Sequence, residues 1–208
     1  KLKLDLKGFK DIEKITGGDL IESLDDAYSR YDIDDTVVLC RSNKRANRYN
    51  NGIRASVLSK EEQLCRGDKV MVVKNCYQFL DDVEDLDFIA NGDVAEIMKI
   101  RNYEERYGLH FADAILSFPD YNDIEINAKI ILDTLQSESA SLTQEQQQAL
   151  YEGVYADDDH LTTKKKRNQA VREDKYYNAR QIKYAAAITC HKSQGGQWRC
   201  VVIDNPFW

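Results

Sequence analysis

The spacing of hydrophobic and polar positions changes several times along the chain. In KLKLDLKG, Leu2, Leu4 and Leu6 alternate with polar residues, a short strand pattern. Thr16 and Asp19 form T-x-x-D, a helix start, and Leu20, Ile21, Leu24, Ala27 and Tyr28 follow at helical spacing. TVVLC, Thr36 to Cys40, is a continuous apolar run and predicts a strand buried on both faces. Ser42 or Asn43 can cap the next helix, whose apolar stripe is Ala46, Tyr49, Ile53 and Val57. Lys44, Arg45 and Arg48 then face elsewhere.

From Arg66 the texture turns to β. RGDKVMVVKN and ANGDVAEIMKI each open on a Gly-Asp turn, and LHFADAILSFP and IEINAKIILDTL are further strand candidates. Together they predict a small antiparallel barrel or sheet, with the acidic LDDVEDLD as an exposed loop. LTQEQQQALYEGVY begins T-x-x-Q at Thr143 and Gln146 and predicts a helix; TTKKKRNQAVREDKYY predicts a second, very polar one. Ile182 to Thr189 reads as one buried strand and CVVIDN as another. The predicted organisation is an α/β domain, residues 1–62 and 184–208, interrupted by an insertion over 63–183. The insertion divides into a barrel over about 64–135 and helices over about 141–178.

Composition bounds the function. The 208 residues are 42% hydrophobic and 31% charged, an ordinary globular balance with room for one large or two small domains. No apolar run is long enough to span a membrane and no signal peptide is visible, so a cytoplasmic protein without a membrane partner is expected. The five cysteines are scattered without zinc spacing, which fits reduced thiols. A net charge of -7 argues against generic polyanion binding, yet residues 36–60 hold six Lys/Arg and no acid. Such a stretch is either one anion-facing surface or a solvated helix face. A chain that starts without methionine and stops just after a strand-like run is expected to be a piece of something longer.

The candidate chemistry sits in YAAAITCHKSQGGQW, Tyr184 to Trp198. A strand of small and β-branched residues there delivers His191, Lys192, Ser193 and Gln194 onto a glycine turn. Thr189, His191 and Ser193 can donate hydrogen bonds to phosphate, Lys192 adds a point charge, and glycine lets backbone N–H groups approach closely. Gln194 can donate and accept, which suits positioning a water or a terminal phosphate oxygen. A plain polar turn between two strands would have the same residue types. Other chemistries fail on inventory: the three histidines lack ligand spacing, and G-x-S-x-G and G-x-x-x-x-G-K-[ST] do not occur.

In combination these segments resemble the C-terminal half of RecD-like superfamily 1 DNA helicases. AITCHKSQGGQW is similar to that family's motif V, T-x-H-K-x-Q-G followed by a short loop and an aromatic. VVLCRSNKRANRYNNGIR resembles motif IV, the strand and helix that open the second RecA-like domain. RGDKVMVVKN and IANGDVAEI resemble the first strands of the Src-homology-3-like subdomain inserted there, and the order along the chain agrees. The likeness covers residues 35–100 and 180–204 well and the middle loosely.

The resemblance implies a RecA-like α/β domain, the second motor domain of an ATP-dependent DNA helicase, with an SH3-like barrel inserted. It implies that Thr189, His191, Lys192 and Ser193 meet the backbone of single-stranded DNA or hold the loop that does, and that Gln194 and Gly195 lie near the γ-phosphate of ATP and couple it to the DNA. Relatives carry Ser-Glu after Q-G, where this chain has Gly196-Gln197, so Gln197 could meet the ribose only without charge. Arg41 is expected near the nucleotide phosphates or in a structural salt bridge, and Asn43 near the cleft. The phosphate loop and the acid pair for Mg2+ would belong to the N-terminal RecA-like domain of the same parent, which is therefore the expected partner. Alone, the chain is expected to hold no tightly bound cofactor and not to hydrolyse ATP. The competing expectation is a non-enzymatic module whose barrel docks nucleic acid or protein.

Overall fold

The computed structural model describes residues 6–75 and 89–205. Leu2 and Leu4 of the expected first strand, and the whole acidic stretch LDDVEDLD, residues 80–87, lie outside them. Two units emerge. One is a three-stranded parallel sheet in the order β7-β1-β8, from β1 (Thr36–Cys40), β7 (Ala187–Thr189) and β8 (Cys200–Ile203). The other is a closed five-stranded barrel, β2 (Lys69–Val72), β3 (Val94–Arg106), β4 (Leu109–Phe118), β5 (Ile124–Ile131) and β6 (Arg180–Tyr184).

The sheet forms as its pattern dictates. β1 is apolar after Thr36, because Val38 and Cys40 face α1 (Leu20–Tyr31) and α2 (Asn43–Gly52), while Val37 and Leu39 face the barrel. Ser42 caps α2 by accepting from the Arg45 N–H at 3.3 Å. α1 starts later than T-x-x-D suggests: Thr16 donates to Asp19 at 2.5 Å in a turn that precedes the helix, and no side chain caps its first residues. A π-helical turn, Ile53–Val57, extends α2 toward the barrel.

The barrel differs from expectation in how it closes. Ile182 to Thr189 is two strands: β6 ends at Tyr184, the chain crosses at Ala185-Ala186, and β7 enters the sheet. β6 pairs antiparallel with β2 and parallel with β5, so the barrel extends past the expected 64–135 to a strand near residue 180. Register shifts in β3 at Ile97/Lys99 and Arg101/Glu104 bend that strand around the closure. The interior holds Leu116, Phe118, Ile130 and Ile182, all fully buried, each worth roughly 1.5–3 kcal/mol relative to exposure.

α3 (Gln144–Asp157) carries the capping box expected from Thr143 and Gln146. With α4 (Lys164–Glu173) it covers Phe111 and Ile131 on the barrel exterior. The link after β5 returns to α2, where Asn47 donates to the carbonyls of Gln136 and Ser137 at 2.8 and 3.1 Å. Lys183 donates to the carbonyls of Thr134 and Ser137, and burial pushes its ammonium pKa down to about 8. Among the described residues no helix is long and apolar enough to cross a membrane, and Cys40, Cys65, Cys190 and Cys200 are free thiols.

Candidate functional site

Because the three strands are parallel, their C-terminal ends share one edge, the place where open α/β sheets bind ligands. Arg41, Ser42 and Asn43 follow β1, the polar turn follows β7, and Asp204 follows β8. The Cys190 N–H donates to the Cys40 carbonyl at 2.8 Å and the Asp204 N–H to the Leu39 carbonyl at 2.9 Å, which holds the three exits together.

The turn is built from its own backbone. The Thr189 carbonyl accepts from the N–H groups of Lys192 and Ser193 at 2.8 and 3.2 Å, and the Ser193 hydroxyl donates to the Cys190 carbonyl at 3.0 Å. Gly195 has φ +86°, which disfavours any side chain there. Gly196 has a different reason to be glycine: a Cβ on it would lie 2.1 Å from the Trp198 ring. Trp198 is half-buried against Val37, Met71, Ala185 and Ile188, so it pins the far end of the turn to the sheet–barrel interface. Gly196→Val is expected to lift Trp198 out of that cluster. In a Trp208→Phe background its fluorescence should shift to the red; an unshifted spectrum would show that the indole packs without needing the glycine.

Between the two anchors, His191, Gln194 and Gln197 are exposed and form no hydrogen bond among the described residues. Thr189 is half-buried at the end of β7. Lys192 behaves otherwise: its ammonium donates to the Asn91 Oδ1 on the turn before β3, and burial lowers its pKa. The Asn91 N–H in turn donates to Asn75 at 2.7 Å. The lysine therefore bridges the turn to the barrel, a contact between residues about a hundred positions apart that no local pattern encodes.

The residues after β1 are arranged in two ways. Arg41 is exposed beside the edge. Asn43 turns toward the link after β5, where its amide donates to the Glu138 carbonyl at 3.2 Å. Arg45, expected to face elsewhere, forks onto Asp204 through Nε and Nη2, the latter at 2.6 Å, and Tyr49 donates to the same carboxylate at 3.2 Å. This clasp ties α2 to the end of β8 and raises the Arg45 pKa through the hydrogen bond to Asp204. Burial, aided by Asp204, pushes the neighbouring Cys40 thiol up to about 12, so it is no nucleophile. An acid directly after an apolar strand run, as in VVID, was the available signal for the clasp.

Residues 184–207 match the UvrD-like helicase C-terminal domain family. That likeness begins at the last residue of β6 and runs through β7, the glycine turn and β8. No curated protein matches the chain.

Proposed function

We propose that this chain is part of an ATP-dependent DNA helicase motor of the RecD-like type, acting on single-stranded DNA. The parallel sheet with α1 and α2 is then the second RecA-like domain, and the barrel is its SH3-like insertion. One observation carries the reading: the stretch similar to a helicase C-terminal domain is the one that leaves the barrel and puts the glycine turn on the C-terminal edge of the sheet.

In this reading Thr189, His191, Lys192 and Ser193 take the DNA backbone, with Lys192 keeping two ammonium donors beyond the one given to Asn91. The exposed amides of Gln194 and Gln197, with Gly195, face ATP, and Arg41 and Asn43 border the same edge. The N-terminal RecA-like domain of the parent supplies the opposite wall.

The test is a fluorescence anisotropy titration of a labelled single-stranded oligonucleotide at two salt concentrations. With one side of a DNA track and a net charge of -7, binding should be weak, roughly 10⁻⁴ M or weaker at physiological salt, and tighter at low salt. Lys192→Ala should weaken it and lower the salt slope by less than about one unit. Unchanged affinity and slope in that variant would remove the DNA role of the turn.

A further inference from the structure

A second charged feature lies on the outside of the barrel, on strands and a loop that the glycine turn does not touch. A concavity of about 230 Å3 there is lined by five cations, Lys99, Arg101, Lys129, Lys175 and Arg180, against one carboxylate, Asp113. The strand register explains the gathering. Lys99 and Arg101 point to the same side of β3, roughly 6.6 Å apart along the strand. Arg101 lies across from Asp113 on β4, which lies across from Lys129 on β5.

The carboxylates nearby are already committed. Lys129 binds Asp113 at 2.8 Å and Glu104 at 2.6 Å. Asn102 donates to the other oxygen of Asp113 at 2.8 Å, and Tyr176 to the other oxygen of Glu104 at 2.9 Å. Lys99, Arg101 and Lys175 are exposed and form no ion pair among the described residues; Lys175 lies over the Tyr176 ring at 5.0 Å. The Asn127 amide lines the same space without a partner there. Clustering like charges on one sheet face costs stability, and a chain of net charge -7 has carboxylates in excess to place beside them. Three exposed cations without an ion pair of their own around one hollow are what an absent anion would balance.

We infer that this hollow is a phosphate-binding site, separate from the glycine turn. Phosphate fits better than carboxylate. One carboxylate has a single charge and two oxygens, which leaves cations unmatched, whereas phosphate oxygens can take the Arg101 fork, two ammonium groups and the Asn127 amide together. No aromatic ring lines the hollow, so bases would not stack in it, and only the phosphate is recognised. The phosphate can belong to a nucleic-acid backbone or to a free oligophosphate. None of the lining residues belongs to the glycine turn, so occupancy does not depend on what that turn does.

The experiment is a titration of the 15N-labelled full chain at low salt with pyrophosphate, with an oligothymidylate and with poly-glutamate, followed by amide shifts. The first two, or either, should move amides at 99–101, 113–115 and 127–129. Response to pyrophosphate assigns free oligophosphate as a ligand; response to the oligonucleotide alone assigns the backbone. The triple variant Lys99→Ala/Arg101→Ala/Lys175→Ala should weaken binding about tenfold or more, with a folded spectrum retained. Arg101→Lys, which keeps the charge and loses the fork, should lose less. Lys164→Ala/Lys165→Ala/Lys166→Ala removes the same charge from exposed α4 and should leave these shifts unchanged. Equal binding of poly-glutamate, equal loss in the α4 variant, shifts confined to other residues, or no binding of either phosphate ligand would each overturn the assignment.

Discussion

Asp68→Asn is expected to lower the unfolding free energy by about 3–5 kcal/mol in urea denaturation at pH 7, much of the stability of an ordinary domain. Asp68 is 2% exposed and sits where the π-helical turn meets the barrel. Arg54 grips both its oxygens at 3.0 and 2.9 Å, Lys60 adds a bond at 3.0 Å, and the Cys65 N–H adds one at 2.8 Å. Arg54 also lies over the Tyr184 ring at 4.6 Å. Neutralising the acid leaves a buried guanidinium with no countercharge.

The same cluster sets an acid limit. Burial alone would raise the Asp68 carboxyl, but the hydrogen bonds from Arg54, Cys65 and Lys60 outweigh it and hold the pKa below the usual carboxylate value. A depressed folded pKa contributes stability above the unfolded value of about 3.9, and that contribution is lost as pH falls through the folded value. Wild-type stability should therefore drop below about pH 4 more steeply than that of Asp68→Asn. A loss under about 1 kcal/mol at pH 7, or parallel acid profiles, would show that the pair contributes little. Arg54→Met/Asp68→Leu should recover part of the loss, since apolar packing can replace a buried ion pair.

What was legible in the sequence is what depends on neighbours in sequence. TVVLC followed by Ser42 specifies a buried strand and a capped helix locally, and T-x-x-Q specifies the start of α3. The four barrel strands from Lys69 to Ile131 follow one another through turns, so their existence could be read. Closure could not. β6 lies about fifty residues beyond β5, pairs with it in parallel, and continues into β7 with no glycine, proline or polar break, only Ala185-Ala186. The position of the glycine turn at a strand end was readable from the change of texture at Thr189. Its long-range contacts were not, because Lys192 meets Asn91 and Arg45 meets Asp204 across separations that no periodicity encodes.

The crossing from barrel to sheet depends on one residue that the apolar stripe of α2 hid. Asn50 is 1% exposed, lies between Ala46 and Ile53 on the buried face, and is the third of a row with Asn43 and Asn47. Its Oδ1 accepts from the Ala187 N–H at 2.7 Å, and its Nδ2 donates to the carbonyls of Ala187 at 2.8 Å and Tyr184 at 3.4 Å. A side chain thus takes both polar groups of the first residue of β7, just after the strand has left β6. Asn50→Leu keeps similar volume and removes those partners, so a buried N–H and C=O are left unmatched at a cost of about 2–4 kcal/mol. The damage should be directional as well. β7 carries the glycine turn, and freeing its first residue loosens the strand whose last residue starts that turn. In native-state hydrogen exchange, the amides of Ala187 and Lys192 should lose protection in Asn50→Leu while those of β4 and β5 keep theirs. Uniform loss across the barrel would mean only global destabilisation. Unchanged exchange at Lys192 would mean that the turn is held by Trp198 and Asn91 alone, without any contribution from the strand that precedes it.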